Sequence, residues 1–194
     1  MKFEKTYYES AQEYTKEMED QFISRTNRHI DLVKKYAKLI EEYDPIRFKG
    51  LSEISENHDK SKFEDDVEKI PYIFISWKYH SQDIGKEFSV PKHIEDNMHK
   101  ATIHHVKNNK HHPEYFDESS EINKADRHKP PEELVDATTM ADINIAEMLA
   151  DWMAMSEEKG NTVKEWADKN VNIRWQFTED QTNLIYELIN NVGE

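Results

Sequence analysis

The stretch EELVDATTMADINIAEMLADWMAMSEEK, residues 132–159, decides the fold class. Leu134, Ala137, Met140, Ile143, Ala146, Leu149 and Met153 recur at the spacing of one helix face, so the whole segment reads as a long buried helix. Gly160 follows where a left-handed C-terminal cap is expected. Asp151 stands in the middle of this apolar pattern, with Glu147 one turn earlier on the same side and Asp142 as a further inward candidate. A buried carboxylate is costly unless it is paired or bound to a metal. The segment that sets the fold therefore also marks a site.

Working outward, the chain keeps the same character. Only four glycines and six prolines interrupt its 194 residues. Residues 6–22 read as a polar amphipathic helix. Residues 24–43 read as a stronger one, with Ile30, Val33, Ala37 and Ile40 on one side, broken by Asp44-Pro45. Residues 50–59 place Leu51, Ile54 and His58 on one face. A segment from 60 ends near Pro71, and Tyr72-Ile73-Phe74-Ile75 is the best strand candidate. Pro91 opens a helix to about Lys107. Residues 108–131 read as a loop, and a loop of that length is usually functional. Short helices at 161–169 and 178–191 close the chain, the last with a capping box from Thr178 to Gln181. In the last third Trp166, Ile173, Trp175 and Phe177 read as packing residues, as do Trp77 and Trp152 earlier. The expectation is an all-α bundle of about seven to nine helices. Its parts are an N-terminal helical extension (1–23), a core (24–160) and C-terminal helices packed on that core (161–194).

Composition excludes several functions. No cysteine is present, so disulfides, thiolate zinc sites and cysteine nucleophiles are out, and the chain suits a reducing cytoplasm. No apolar run is long enough to span a bilayer, and no signal peptide is expected. A net charge of -14 argues against general nucleic-acid binding and against anionic membranes. It does not exclude a small phosphorylated substrate, because divalent cations reverse the local field.

Ten histidines are available for such cations. Asn57-His58-Asp59-Lys60-Ser61-Lys62 puts an imidazole and a carboxylate side by side near a helix end, a mixture that suits Mn, Fe, Co, Ni or Zn. His29 lies on the apolar side of its helix. His104, His105, His111 and His112 crowd a helix end and the loop after it. His105 shares a face with Ala101 and Met98 and is the better inward candidate of its pair. His111 and His112 sit where the chain turns and reach back. Glu147 is placed to hydrogen-bond a ligand histidine from behind.

In this order, His29, then His58-Asp59, then His105 with His111-His112, then Asp151, the chain resembles the HD superfamily of metal-dependent phosphohydrolases. The fingerprint of that superfamily is a His, a His-Asp pair and a late Asp on separate helices. His58 to Lys62 looks like the HD-x-x-Lys form of the subgroup that cleaves cyclic dinucleotides, which implies that Lys62 meets a substrate phosphate. The chain also resembles a small family of unknown function, common in phage and bacterial genomes, through HD-x-Ser-Lys-Phe (His58–Phe63), HHPEY (His111–Tyr115) and E-M-x-x-D-W (Glu147–Trp152). Two features depart from the cyclic-dinucleotide enzymes. Their glycine-rich stretch is replaced by Tyr115-Phe116-Asp117-Glu118, and Pro113 separates His112 from Glu114.

The resemblance implies an HD-domain-like bundle. It implies one or two divalent metal ions (Mn, Fe, Co, Ni, Zn or Mg) on His29, His58, Asp59, His105, His111, His112 and Asp151. It further implies catalysis by Asp59, Lys62 and Glu147, with substrate contacts from Lys62, His112 and Tyr115. The reaction expected is hydrolysis of a phosphate ester of a nucleotide or cyclic nucleotide, in bacterial cytoplasm or, for a phage protein, that of the host. Two rivals share these residues: a di-iron oxygenase of HD type, and a non-catalytic phage protein that sequesters a nucleotide. A homo-oligomer is left open.

Overall fold

The computed structural model describes residues 14–117 and 133–193. Eight α-helices cover most of them: α1 Lys16–Tyr43, α2 Leu51–Ser55, α3 Ser61–Glu64, α4 Lys69–Asp83, α5 Lys92–Asn108, α6 Asp142–Lys159, α7 Val163–Asn170 and α8 Glu179–Val192. A single 3-10 turn, Pro113–Tyr115, follows α5. The two-residue strands β1 (Val135–Asp136) and β2 (Trp175–Gln176) pair in parallel, Val135 against Trp175. The expected all-α class holds.

The chain divides into two compact units. One takes the described residues up to Arg28 together with Asp59–His105, and the other takes His29–His58 and Val106 onward. In the first, Phe22 of α1 packs with Ile70, Ile73 and Phe74 of α4 and with Ile94 and Met98 of α5. Phe63 of α3 sets its ring 5.3 Å from that of Phe22. In the second, Val33, Ala37 and Ile40 of α1 meet Ile145, Met148, Leu149 and Met153 of α6 and Leu184, Ile185 and Leu188 of α8. Each fully buried side chain of this size is worth roughly 1.5–3 kcal/mol by transfer, so α6, buried along most of its length, is the main beam of its unit.

Local chemistry explains most boundaries. α6 stops at Gly160, whose φ of 67° is the left-handed cap conformation. α8 starts with the full capping box between Thr178 and Gln181. α7 is capped by Thr162, whose side chain accepts from the Glu165 amide. α1 ends before Asp44, whose carboxylate accepts from the amides of Ile46 and Arg47 and turns the chain.

Several expectations need correction. The long helix begins at Asp142, not at 132, because Val135-Asp136 is drawn into the parallel pair and Asp136 then accepts from Thr138 in a tight turn. Leu134 is consequently exposed. Residues 72–75 are helix α4 rather than strand, and Pro71 lies in its first turn, where a missing N–H costs nothing. The helices expected at 6–22 and 24–43 are one helix over the described residues, since nothing from Ile23 to Arg28 breaks it; residues 6–13 lie outside the described part. So do residues 118–131 of the expected loop. Ile54 is exposed rather than aligned with Leu51 and His58. Trp166 and Ile173 are also substantially exposed, whereas Trp175 and Phe177 are core. Trp152 is buried and stacks on Trp175, with ring centroids 5.4 Å apart. Asp142 points outward to Arg47 at 2.8 Å.

Candidate metal centre

In the second unit, α1, α6 and the turn after α2 bring polar side chains into an otherwise apolar interior. His29, the inward residue of α1, is 6% exposed, and His58 is 2% exposed. His29 Nε2 lies 3.0 Å from Asp151 Oδ1 on α6, and His58 Nε2 lies 3.9 Å from the same oxygen. The other nitrogen of each ring meets a glutamate of α6: His58 Nδ1 is 3.2 Å from Glu147 Oε1, and His29 Nδ1 is 3.5 Å from Glu158 Oε2. Glu147, Asp151 and Glu158 share one side of the helix because they are separated by one and two turns.

His111, beyond α5, adds a third ring. Its Nδ1 is 3.5 Å from Glu147 Oε1 and its ring centroid is 4.1 Å from that of His58. Ligand atoms of His58, His111 and Glu147 all lie within 4.8 Å of one another. His112 is buried with its ring 4.1 Å from His111. Tyr115 is exposed on the 3-10 turn.

Electrostatics match this geometry. Burial works to raise the Glu147 carboxyl, but hydrogen bonds from His111 and His58 outweigh it and bring the pKa down to about 2. For Asp151 burial again acts upward, and His29, then His58 and His111, hold the group well below the usual carboxylate range. Both carboxylates are therefore charged at neutral pH. Because a carboxylate only accepts, His58 presents Nδ1–H to Glu147, and its Nε2 faces Asp151. A ligand histidine backed by a carboxylate is the usual arrangement at protein metal sites.

Imidazole and carboxylate donors of this kind suit a divalent cation. Bonds of about 2.1 Å to imidazole and carboxylate place neighbouring donors about 3.0–3.4 Å apart in octahedral or tetrahedral geometry. The His29 separation of 3.0 Å falls in that range, and the His58 separation of 3.9 Å lies beyond it. Buried groups that could hold a metal ion are present in this unit, His58, His111 and Glu147 among them.

The first unit carries a second arrangement. Asp59 has a φ of 58°, a left-handed backbone that aspartate tolerates better than most residues. Its side chain is buried, with Oδ1 3.1 Å from His105 Nε2 and Oδ2 2.6 Å from Lys62 Nζ. Lys62 also lies over the Tyr72 ring at 4.9 Å. His105 Nδ1 donates to Glu68 Oε2 at 2.9 Å. His104 is a third exposed and donates to Glu68 Oε1 at 3.0 Å.

A model for a family of unknown function, DUF5662, matches residues 18–191. The chain belongs to that family. No curated protein and no solved structure matches the chain. Membership brings no activity with it, so the chemistry rests on the geometry above. Among the described residues no helix is long and apolar enough to cross a membrane.

Each candidate catalytic, substrate-binding or metal-binding residue from the sequence is among those described. His29, His58, His111, Glu147 and Asp151 gather in the second unit, and Asp59, Lys62 and His105 in the first. Two carboxylates escaped the sequence reading. Glu158 sits in Ser156-Glu157-Glu158-Lys159, which reads as a polar helix end, yet its two-turn spacing from Asp151 was a usable signal. Glu68 lies in the charged run Asp65-Asp66-Val67-Glu68-Lys69, where no local pattern separates it from its neighbours.

Proposed function

We propose that this chain is a metal-dependent phosphohydrolase of HD type, acting on a phosphate ester of a nucleotide or cyclic nucleotide. One observation carries the reading: His29 and His58 each turn Nε2 toward Asp151 while a glutamate stands behind each ring. His29, His58 and Asp151 would hold a divalent cation. Asp59, which follows His58 in the chain, and His105, His111 and His112 are the further donors that the HD likeness implies. The order of these residues along the chain supports the HD likeness.

A cation held there would supply Lewis acidity, making water a better nucleophile and offsetting charge on phosphate oxygens. The chain's own residues do the rest. Glu147 and Glu158 orient the rings, and the charge on Glu147 makes His58 a stronger donor. Lys62, already directed at the anionic oxygen of Asp59, is the side chain for a substrate phosphate. His112 and Tyr115 are assigned to substrate contact. The acidic chain would repel a free nucleotide, and a divalent cation would offset that repulsion.

The test is a panel of phosphomonoesters and diesters with Mn, Co or Mg, run beside Asp59→Ala and Asp151→Ala. Metal-dependent phosphate release that both variants lose is expected. Unchanged turnover in either variant overturns the assignment. Bound iron with oxygen consumption and no phosphate release would replace it with the oxygenase reading.

A further inference from the structure

Glu68 is fully buried, at 0% exposure, although it comes from a charged run and belongs to no motif of the chain. A carboxylate so enclosed persists only when its lone pairs are satisfied. Here three donors converge on it. Oε2 accepts from His105 Nδ1 at 2.9 Å and from Ser61 Oγ at 2.9 Å, and Oε1 accepts from His104 Nδ1 at 3.0 Å.

The consequence lies on the far side of the His105 ring. With Nδ1 committed to Glu68, Nε2 is directed at Asp59 Oδ1, 3.1 Å away. The second unit repeats this division of labour with different elements. There a glutamate of α6 takes Nδ1 of His58 and an aspartate takes the Nε2 side. In both units the aspartate is the acid singled out as a ligand, and the glutamate stands behind the ring.

We infer that Glu68 is a positioning residue, which fixes the His105 ring through its Nδ1–H and aims Nε2 at Asp59. Its functional meaning rests on the metal reading proposed above. Glu68 also ties down the His-Asp turn from the other end. Ser61 lies two residues past Asp59 and opens α3, so one carboxylate anchors both the segment that carries Asp59 and the helix that carries His105. His104 adds a second strut from the exposed side of α5. A purely space-filling role would need neither the paired histidines nor the charge.

The experiment uses the full chain with nitrogen-15 histidine, read by two-bond proton–nitrogen correlation, and zinc as the probe ion. The expected result is a low-field, slowly exchanging Nδ1 proton on His105. Glu68→Gln abolishes or redistributes it, and His104→Ala leaves it in place. Zinc affinity in Glu68→Gln falls about 10–100-fold. A wild-type His105 protonated only at Nε2, or a Nδ1 signal indifferent to Glu68→Gln, overturns the inference, whether or not zinc binds. The Nδ1 signature present and lost in the variant, with zinc bound by neither protein, upholds the positioning and overturns the metal reading instead. If Glu68→Gln fails to fold by circular dichroism, Glu68→Asp takes its place. It keeps the charge with a shorter reach, and a weakened Nδ1 signal is expected where an unchanged one overturns.

Discussion

Replacing Glu147 by glutamine tests the electrostatics of the site without any metal. The side chain keeps its shape and loses its charge, which mimics permanent protonation. In the wild type the carboxyl is held at about 2 against an ordinary 4.5. One pKa unit corresponds to about 1.4 kcal/mol, so the charged form is favoured in the fold by about 3 kcal/mol. The folded value is depressed, so this stability is fully present above pH 4.5 and is lost as pH falls toward 2. Glu147→Gln should therefore cost apo-protein about 3 kcal/mol at pH 7 and only about 1 kcal/mol at pH 3. Urea unfolding followed by circular dichroism at both pH values measures it. A cost below about 0.5 kcal/mol at pH 7, within the range of ordinary surface substitutions, would refute the coupling of Glu147 to His58 and His111. So would a cost independent of pH.

Other consequences are simpler to read. Glu41 accepts from the amides of Gly50 and Ser52 at the start of α2, and the Ser52 side chain first, then these amides, lower its carboxyl. Glu41→Ala should cost about 0.5–1 kcal/mol at pH 7 in chemical unfolding, a difference that narrows as pH falls below the ordinary carboxylate value. Gly160→Ala meets no atom within 4 Å, so only the left-handed backbone opposes it, and thermal unfolding should report a loss of about 1–2 kcal/mol. Leu149→Ala, in the core of α6, should cost about 2–5 kcal/mol in the same assay, while Ile46→Ala, at 91% exposure, should stay within about 0.5 kcal/mol.

Helical period was enough to read α6 from Asp142 onward, because its apolar stripe is nearly continuous and Gly160 closes it. The same period misled upstream. Val135 belongs to a pair with Trp175, a partner distant in sequence that no local pattern announces. The ligand candidates were legible for a different reason. His29 and Asp151 interrupt apolar faces, where a polar side chain needs an explanation. Glu147 was legible as the acid one turn from Asp151. Glu68 was not, since its value comes entirely from His104, His105 and Ser61 meeting it in space. Asp142 shows the opposite error: helix phase made it an inward candidate, and Arg47 holds it at the surface.

The most direct measurement is the divalent-metal content of untagged protein, by elemental analysis, with zinc and manganese affinities determined for wild type and for His58→Ala with Asp151→Ala. A stoichiometric ion in the wild type, lost in the double variant with helicity intact, is the predicted result. A wild-type chain that retains no ion and binds none at millimolar supply would contradict it.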